Sequence, residues 1–183
     1  MLKVALLVIS SKVVSGQETE TGRDALEQMV RELPGTVAAY ACVPDDRTAI
    51  REQLLKLCDS GEPDVVLSIG GTGVRPTDWA LAAMRDVIEK EIPGIGEAMR
   101  MESPKKVRTA MLSRGTAGIR GSTLIVDSPE SPRRAKQTSP SLCRSWTARW
   151  RKSGNAMRHA SCVSHALRIT CHARRGEETC RAN

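Results

Sequence analysis

Apolar and polar positions alternate along residues 1–126 in a way that predicts strands and helices in turn. Unbroken apolar runs such as Val65 to Ile69 are typical of buried strands, whereas apolar residues spaced at i, i+4, i+7 and i+8 from Ile50 predict a helix. The predicted strands cover Lys3 to Ile9, Thr36 to Val43, Val65 to Ile69 and Thr123 to Val126, and the predicted helices cover Asp24 to Leu33, Arg47 to Cys58, Ala80 to Glu89 and Gly94 to Met101. This order favours an α/β fold with a largely parallel sheet and helices on both faces.

Three loops follow the predicted strands and carry the polar residues of interest. They are SSKVVSG after the first strand, PDD after the second and GGTGVRPTD after the third. Because ligands of parallel sheets bind beyond the carboxyl ends of the strands, these loops are expected to share one rim.

The segment GGTG has the composition of an anion-binding loop. Gly70, Gly71 and Gly73 allow positive φ angles, so that successive backbone N–H groups can converge on a phosphate. Ser68 and Thr72 add hydroxyl donors, and the following helix adds a positive dipole end. The loop lacks the lysine of a P-loop and the spacing G-x-G-x-x-G, which disfavours dinucleotide chemistry. A glycine turn that only permits a tight bend is the alternative.

Two carboxylates follow predicted strand ends and are candidate Mg²⁺ ligands. Asp45 and Asp78 would hold the ion and its waters beside a polyphosphate. Each has a structural alternative, because aspartate is a common helix N-cap. For the helix near Arg47, Asp46 is as good a cap as Asp45.

Other polar residues at the predicted rim carry weaker signals. Arg75, Arg114 and Arg120 lie in or near turns and can neutralise phosphates, although exposed arginines are commonly only solvated. Ser10 and Ser11 end the first strand and can donate to a ligand, but serine is also an ordinary turn residue.

Charge divides the chain at Pro132. Residues 1–132 hold 16 Lys and Arg against 19 Asp and Glu, a net charge of −3, whereas residues 133–183 hold 12 against 2, a net charge of +10. We therefore predict one domain over residues 1–132 and a basic, aperiodic tail over residues 133–183. The composition of the tail leads us to hypothesise an altered reading frame or a diverged terminus. Nucleic-acid binding would depend on this tail alone, with Trp146 and Trp150 as stacking groups, and is disfavoured.

Several other classes of protein are disfavoured. All three histidines lie in the tail, and the C-x₈-C spacings there do not match zinc ribbons. A signal peptide is not expected, because the apolar run near the start is short and lacks a small-residue cleavage site, and no run approaches membrane-spanning length. Because Cys42 and Cys58 look unpaired, a reducing compartment, the cytoplasm, is expected.

Five segments within residues 1–132 form a distinctive set, in the order VISS, VPDD, SIGGTGVRPTD, EIPGIGEAMR and AMLSRGTAGIRGSTLIVDSPESP. Together they resemble the MogA/MoaB family, the molybdopterin adenylyltransferases of molybdenum cofactor synthesis. The chain is also similar to the G domain of the fused eukaryotic enzymes.

The resemblance implies a molybdopterin-binding-domain-like, three-layer α/β/α sandwich that forms a homotrimer. It implies transfer of AMP from ATP to the terminal phosphate of molybdopterin, with Mg²⁺ present and pyrophosphate released. Asp45 and Asp78 match the acidic positions of the family that are linked to Mg²⁺ and catalysis, and Ser113 matches a position on the pterin side. We assign to substrate binding Ser10, Ser68, Gly70, Gly71, Thr72, Gly73, Pro76, Ser113, Arg114, Ser131 and Pro132.

Two segments differ from the usual family pattern. Where V-T-P-E-A usually follows the aspartate at position 78, this chain has Trp79-Ala80-Leu81-Ala82-Ala83. Where N-L-P-G-[SN]-P is usual, it has Asp127-Ser128-Pro129-Glu130-Ser131-Pro132. Both differences bear on the catalytic rate. They support an alternative, a catalytically impaired paralogue that binds molybdopterin or nucleotide without transfer.

Overall fold

The computed structural model describes residues 2–20, 23, 24, 27, 30, 35–102 and 108–128. The predictions for Ser131, Pro132 and the tail, and the family difference at Glu130, concern residues outside that part. Of the helix predicted over Asp24 to Leu33, only residues 24, 27 and 30 are described, and they are helical.

Six strands and several helices form. They are β1 (Leu2–Ile9), α1 (Ser11–Val14), β2 (Gly35–Val43), α2 (Arg47–Asp59), β3 (Val65–Ile69), α3 (Ala80–Arg85), β4 (Lys90–Glu91), α4 (Pro93–Glu102), a 3₁₀ helix (Arg108–Leu112), β5 (Ala117–Arg120) and β6 (Thr123–Ser128). The four predicted strands are present in the predicted order, and β4, β5 and α1 were not predicted. Helix α3 ends earlier than predicted because the chain turns into the sheet, where the Glu89 N–H donates to Ile119 O at 2.8 Å.

The strands make one mixed, mostly parallel sheet in the order β2-β1-β3-β6-β5-β4. The strands β2, β1, β3, β6 and β4 run in one direction, and only β5 is reversed, so it pairs antiparallel with both of its neighbours, β6 and β4. The predicted parallel character is therefore confirmed. In register, Ile9 lies opposite Val43 and Val8 lies opposite Ile69, so the loops after β1, β2 and β3 leave the sheet at one rim.

Helices cover both faces of the sheet. On one face, Val4, Leu6 and Val8 of β1 pack in a core with Ile95 and Met99 of α4. On the other face, alternate residues of β1 pack with the apolar faces of α2 and α3, including Ala5, Leu7, Ile9, Ile50, Leu54, Ala83 and Met84. Fully burying each large side chain contributes about 1.5–3 kcal/mol to folding. The two cores give the predicted α/β/α layers.

Cys42 and Cys58 are free thiols in this structure. Burial raises the pKa of the Cys58 thiol to about 11, so it is protonated at neutral pH and is a packing residue of the α2 core. Within the described segments, no helix has both the length and the apolar character that crossing a bilayer requires.

Candidate active site

The glycine loop, residues 70–73, begins where β3 ends. Gly70 and Gly71 have φ angles of +114° and +65°, as predicted for a turn that only glycine adopts readily. The prediction of positive φ was wrong for Gly73, whose conformation is open to any residue. Gly73 is glycine for another reason, because an added Cβ would lie 2.5 Å from Oδ2 of Asp78.

The backbone N–H groups of this loop are largely unused by the protein. The Gly70 N–H makes a long bond of 3.4 Å to Ser128 O, and the Arg75 N–H donates to Asp78 Oδ2 at 2.7 Å. Between them, the N–H groups of residues 71–74, here called the loop amides, have no acceptor among the residues that the structure describes. The loop therefore keeps donors free for a bound anion.

Asp45 is held under the glycine loop by the segment that follows β1. Its Oδ2 accepts from the Ser11 N–H, and its own N–H donates to Ser11 Oγ, both at 2.8 Å. Its other oxygen, Oδ1, is buried without a partner in the described part of the chain and lies 3.6 Å from the position of a Cβ on Gly71. Asp46, rather than Asp45, caps α2, since it accepts from the Ala49 N–H at 2.8 Å. Asp45 is therefore not the N-cap of α2, although its sequence position allowed that role.

Asp78 lies under the other end of the same loop. Its side chain is only 1% exposed and accepts from the Arg75 backbone N–H at 2.7 Å, from Nη2 at 2.9 Å and from Nε at 3.2 and 3.3 Å. Asp78 does not cap α3, because Trp79 stands at the N-cap position without a side-chain bond. Both carboxylates therefore touch one four-residue loop, and Asp78 is already neutralised by a half-exposed arginine.

Arg114 fixes the glycine loop through backbone carbonyls. Its Nε and Nη2 donate to Gly73 O and Asp78 O, both at 2.6 Å, and its N–H donates to Thr72 O at 2.7 Å. The guanidinium therefore stabilises the loop directly. Arg120, in contrast, pairs with Asp59 at 2.7 Å near the amino-terminal ends of the parallel strands, away from the rim.

Ser113 approaches the glycine loop across Gly115. A Cβ added to Gly115 would lie 3.4 Å from Oγ of Ser113 and 3.6 Å from Cγ2 of Thr72. Arg100 supports this turn by donating to Ser113 O at 3.3 Å and to Gly115 O at 3.0 Å. Ser113 and Thr72 therefore lie near the same point, beside Gly115.

The remaining assigned residues have mixed surroundings. Ser10 caps α1, accepting from the Val13 N–H at 3.4 Å, so it has the local role that the sequence left open. Ser68 is buried and donates its hydroxyl to Asp127 at 2.8 Å, which turns it away from a ligand in this structure. Pro76 is exposed in the turn between Gly73 and Asp78.

Asp127 is a buried acid at the rim that the sequence marked only as a family difference. It is fully buried, and burial raises the pKa of its carboxyl to about 7, against an opposing effect of the Ser68 hydroxyl. Its Oδ2 has no partner among the described residues. An acid directly after the apolar run TLIV was the available signal, because that position belongs to a buried strand.

The described segments contain no cluster of three or more His, Cys, Asp or Glu side chains that could hold a metal ion. A divalent ion at this rim would therefore need ligands from its substrate as well as from Asp45 and Asp78. Such sharing is typical of Mg²⁺, which keeps waters and binds phosphate oxygens.

Residues 5–146 match a family model described as a probable molybdopterin binding domain. The chain belongs to the MogA/MoaB family. It is 35% identical over 138 residues to the molybdopterin adenylyltransferase of Helicobacter pylori strain J99, a match that covers 74% of this chain and 78% of the relative. It is 34% identical over 139 residues to that of Escherichia coli K12, covering 75% and 71%.

Solved structures of MogA/MoaB proteins have the same fold. MoaB from Thermus thermophilus superposes with a TM-score of 0.76 at 33% identity, covering 90% of this chain and 97% of that protein. A MogA structure gives a TM-score of 0.72 at 29% identity, covering 76% and 91%. The family and the fold implied by the sequence motifs are confirmed.

Proposed function

We propose that this MogA/MoaB protein acts in molybdenum cofactor biosynthesis by transferring AMP from ATP to the terminal phosphate of molybdopterin. The observation that carries the proposal is the placement of Asp45 and Asp78 beneath the two ends of one glycine loop whose amides are free. Relatives that are about a third identical bear the name molybdopterin adenylyltransferase.

The reaction requires charge neutralisation more than it requires a base. A terminal phosphate oxygen of molybdopterin attacks the α-phosphorus of ATP, a new P–O bond forms, and the bond to the bridging oxygen breaks. Pyrophosphate leaves with that electron pair. Because the attacking oxygen is already anionic, alignment and donors for the phosphoryl oxygens supply the catalysis. The loop amides and the start of α3, which follows the loop, would supply these donors, and no histidine is required.

The two carboxylates fit Mg²⁺ to different degrees. Oδ1 of Asp45 is buried and without a partner in the described part of the chain, which is the state expected of an oxygen that completes its bonding with a cation or its water. Asp78 already accepts from Arg75, so Asp78 would bind the ion only where Arg75 turns to solvent or to a phosphate. When bound, Mg²⁺ would neutralise phosphate charge and orient the leaving pyrophosphate.

The Arg75–Asp78 ion pair also favours a second candidate function. If the pair persists with ligand present, the protein would bind molybdopterin or nucleotide without transferring AMP. Trp79 and the residues after it, which differ from the usual family pattern, adjoin this pair. A binding paralogue would hold or hand over the cofactor precursor.

We also propose that the protein works as a homotrimer in the cytoplasm. Met101, Met111 and Leu112 are 77%, 64% and 51% exposed, and subunit contact would remove this apolar area from water. Sedimentation equilibrium of the purified chain gives the subunit number directly. A monomer at micromolar concentration would contradict the trimer without bearing on the chemistry.

The decisive experiment measures pyrophosphate release from protein, molybdopterin, ATP and Mg²⁺. Asp78→Asn should lower the rate about 100-fold or more, because it removes the charge that places the ion. Asp86→Asn is the matched control, since Asp86 also pairs with an arginine, Arg47, but on the surface of α2 and α3. It should leave the rate unchanged.

Three results separate the candidates. Release that depends on Asp78 supports transfer. Binding of ATP without release supports the binding paralogue, and restoration of release by Arg75→Ala would identify the ion pair as the cause. An Asp78→Asn rate equal to that of the unmodified protein would remove Asp78 from the mechanism.

A further inference from the structure

Asp127 is a buried acid beside the end of β3, close to where the glycine loop begins. It lies on β6 directly opposite Ser68 of β3, and none of its surface is exposed. Oδ1 accepts from the Ser68 hydroxyl at 2.8 Å, and Oδ2 is buried with no partner in the described segments. A carboxyl with one unused buried oxygen is costly unless it is protonated or serves a ligand site.

Backbone contacts tie Asp127 to the glycine loop. The next residue, Ser128, pairs with Ile69 and accepts the long bond from the Gly70 N–H. On the other side, Asp127 O lies 2.9 Å from the position that a Cβ on Gly115 would occupy, and Cγ2 of Thr72 lies 3.6 Å from the same position. The Asp127 carboxyl is therefore joined by one hydrogen bond to Ser68, two residues before the glycine loop, while the backbone around it packs beside Gly115.

No cation in the described part of the chain compensates the charge of Asp127. Among the described residues, Oδ1 accepts only from the Ser68 hydroxyl and Oδ2 has no partner, so its carboxyl makes no ion pair there. The ionisable groups on the surrounding elements are Glu91, which accepts from Thr116 beside β6, Asp45 and Asp78 beneath the loop, Arg75 on Asp78, and Arg100 and Arg114 on backbone carbonyls. Ionised Asp127 would add a third carboxylate to a rim that must accept an anion.

We propose that Asp127 is a positioning residue for anion binding by the glycine loop, favouring binding when neutral and weakening it when ionised. The proposal rests on the proposed function in one respect, namely that residues 70–73 bind an anion. The carboxyl acts through Ser68 and the electrostatic field, without touching the anion. Its pKa of about 7 places the change within the ordinary range of cellular pH.

The test measures sulfate affinity by isothermal titration calorimetry from about pH 6 to about pH 8, using the full chain. Sulfate keeps its charge over this range, unlike ATP or pyrophosphate, so the probe does not titrate. The affinity of the unmodified protein should fall about tenfold, as expected for one unit charge near the site at intermediate dielectric. Asp127→Asn should show a flat profile at the higher affinity.

Two further variants make the test specific. Asp64→Asn is the matched control, because Asp64 lies at the opposite end of β3 and accepts from the Lys3 N–H at 2.8 Å. It should keep the pH profile of the unmodified protein. Ser68→Ala removes a hydrogen bond that lowers the pKa of Asp127, so the midpoint of its profile should move to higher pH.

The outcomes distinguish this inference from the proposed function. Equal pH slopes in the unmodified protein and Asp127→Asn would overturn the role of Asp127 even if pyrophosphate is released. A slope that Asp127→Asn abolishes would support that role even if no AMP is transferred. Absence of sulfate binding at every pH would count against both, and against the loop as an anion site.

Discussion

Oδ2 of Asp78 lies 2.5 Å from the point that a Cβ on Gly73 would occupy. The glycine therefore lets a buried carboxylate pack directly against the loop backbone. This close approach, rather than an unusual φ angle, explains why residue 73 is glycine.

Gly73→Ala should damage the site more than the fold. The methyl group has to displace either the Asp78 carboxylate or the loop, and a misplacement of about 1 Å costs about 100-fold in rate. The measurement is pyrophosphate release beside a thermal melt. Gly94→Ala is the control, because nothing lies within 4 Å of its added Cβ, and it should keep the rate. A fully active Gly73→Ala protein would mean that Asp78 need not sit under the loop.

Ser11 and Asp45 exchange two hydrogen bonds of 2.8 Å, which orient the carboxylate and leave Oδ1 toward Gly71. We expect Asp45→Asn to lower the rate of pyrophosphate release about 100-fold while the melting temperature changes little. Asp46→Asn makes the same change one residue away at the α2 cap, where asparagine caps equally well. It should preserve both the rate and the melting temperature. Equal losses in the two variants would show that the α2 terminus, not the Oδ1 atom, matters.

The sequence predicted the main elements and the rim well, because buried strands and one-sided helices leave strong periodic signals. It missed β4 and β5, which have two and four residues and are too short to show a period. It also did not choose between Asp45 and Asp46 as the α2 cap. That choice depends on Ser11, 34 residues earlier in the chain, which binds only one of them.

Side-chain roles at the site were harder to predict because they depend on long-range partners. Arg114 was expected to bind phosphate, yet its guanidinium donates to Gly73 O and Asp78 O. Ser68 was expected to donate to a ligand, yet it donates to Asp127, 59 residues away. Donor-rich residues near a loop are predictable from sequence, whereas the acceptors that they use are set by strand register.

Arg114→Ala should destabilise the protein even without ligand. It leaves the carbonyls of Gly73 and Asp78 without their donor, and each bond to a charged group contributes about 1.5–3 kcal/mol. Arg114→Lys should recover only part of this loss, because one ammonium does not reproduce the planar fork. Urea denaturation in the absence of nucleotide gives the free energies of unfolding.

Arg47→Ala is the control for Arg114, since Arg47 makes a surface ion pair with Asp86, and exposed ion pairs contribute little to stability. If Arg114→Ala unfolds at the same urea concentration as the unmodified protein, the guanidinium is not needed to hold the loop. Arg114 would then be available for phosphate, as the sequence suggested.

The stability of the protein should fall as pH rises toward neutrality because of Asp127. Its pKa is raised from 3.8 to about 7 by burial, so the folded state binds a proton that the unfolded state releases. The stabilisation that this proton provides is fully present below about pH 4 and is lost as the pH rises to about 7. Its upper limit is on the order of 4 kcal/mol. Asparagine does not ionise, so the free energy of unfolding of Asp127→Asn should not fall in this way. As the pH rises across this window, the variant should therefore become more stable relative to the unmodified protein.

Asp59→Asn provides a control of opposite sign for that measurement. The hydrogen bond from Arg120 lowers the pKa of Asp59, so its contribution is present at neutral pH and is lost only as pH falls below the ordinary range for aspartate. Between about pH 5 and about pH 8, Asp59→Asn should therefore track the unmodified protein while Asp127→Asn diverges from it. Parallel stability curves for all three proteins would mean that Asp127 is ionised at no cost, and that its Oδ2 has a partner such as buried water.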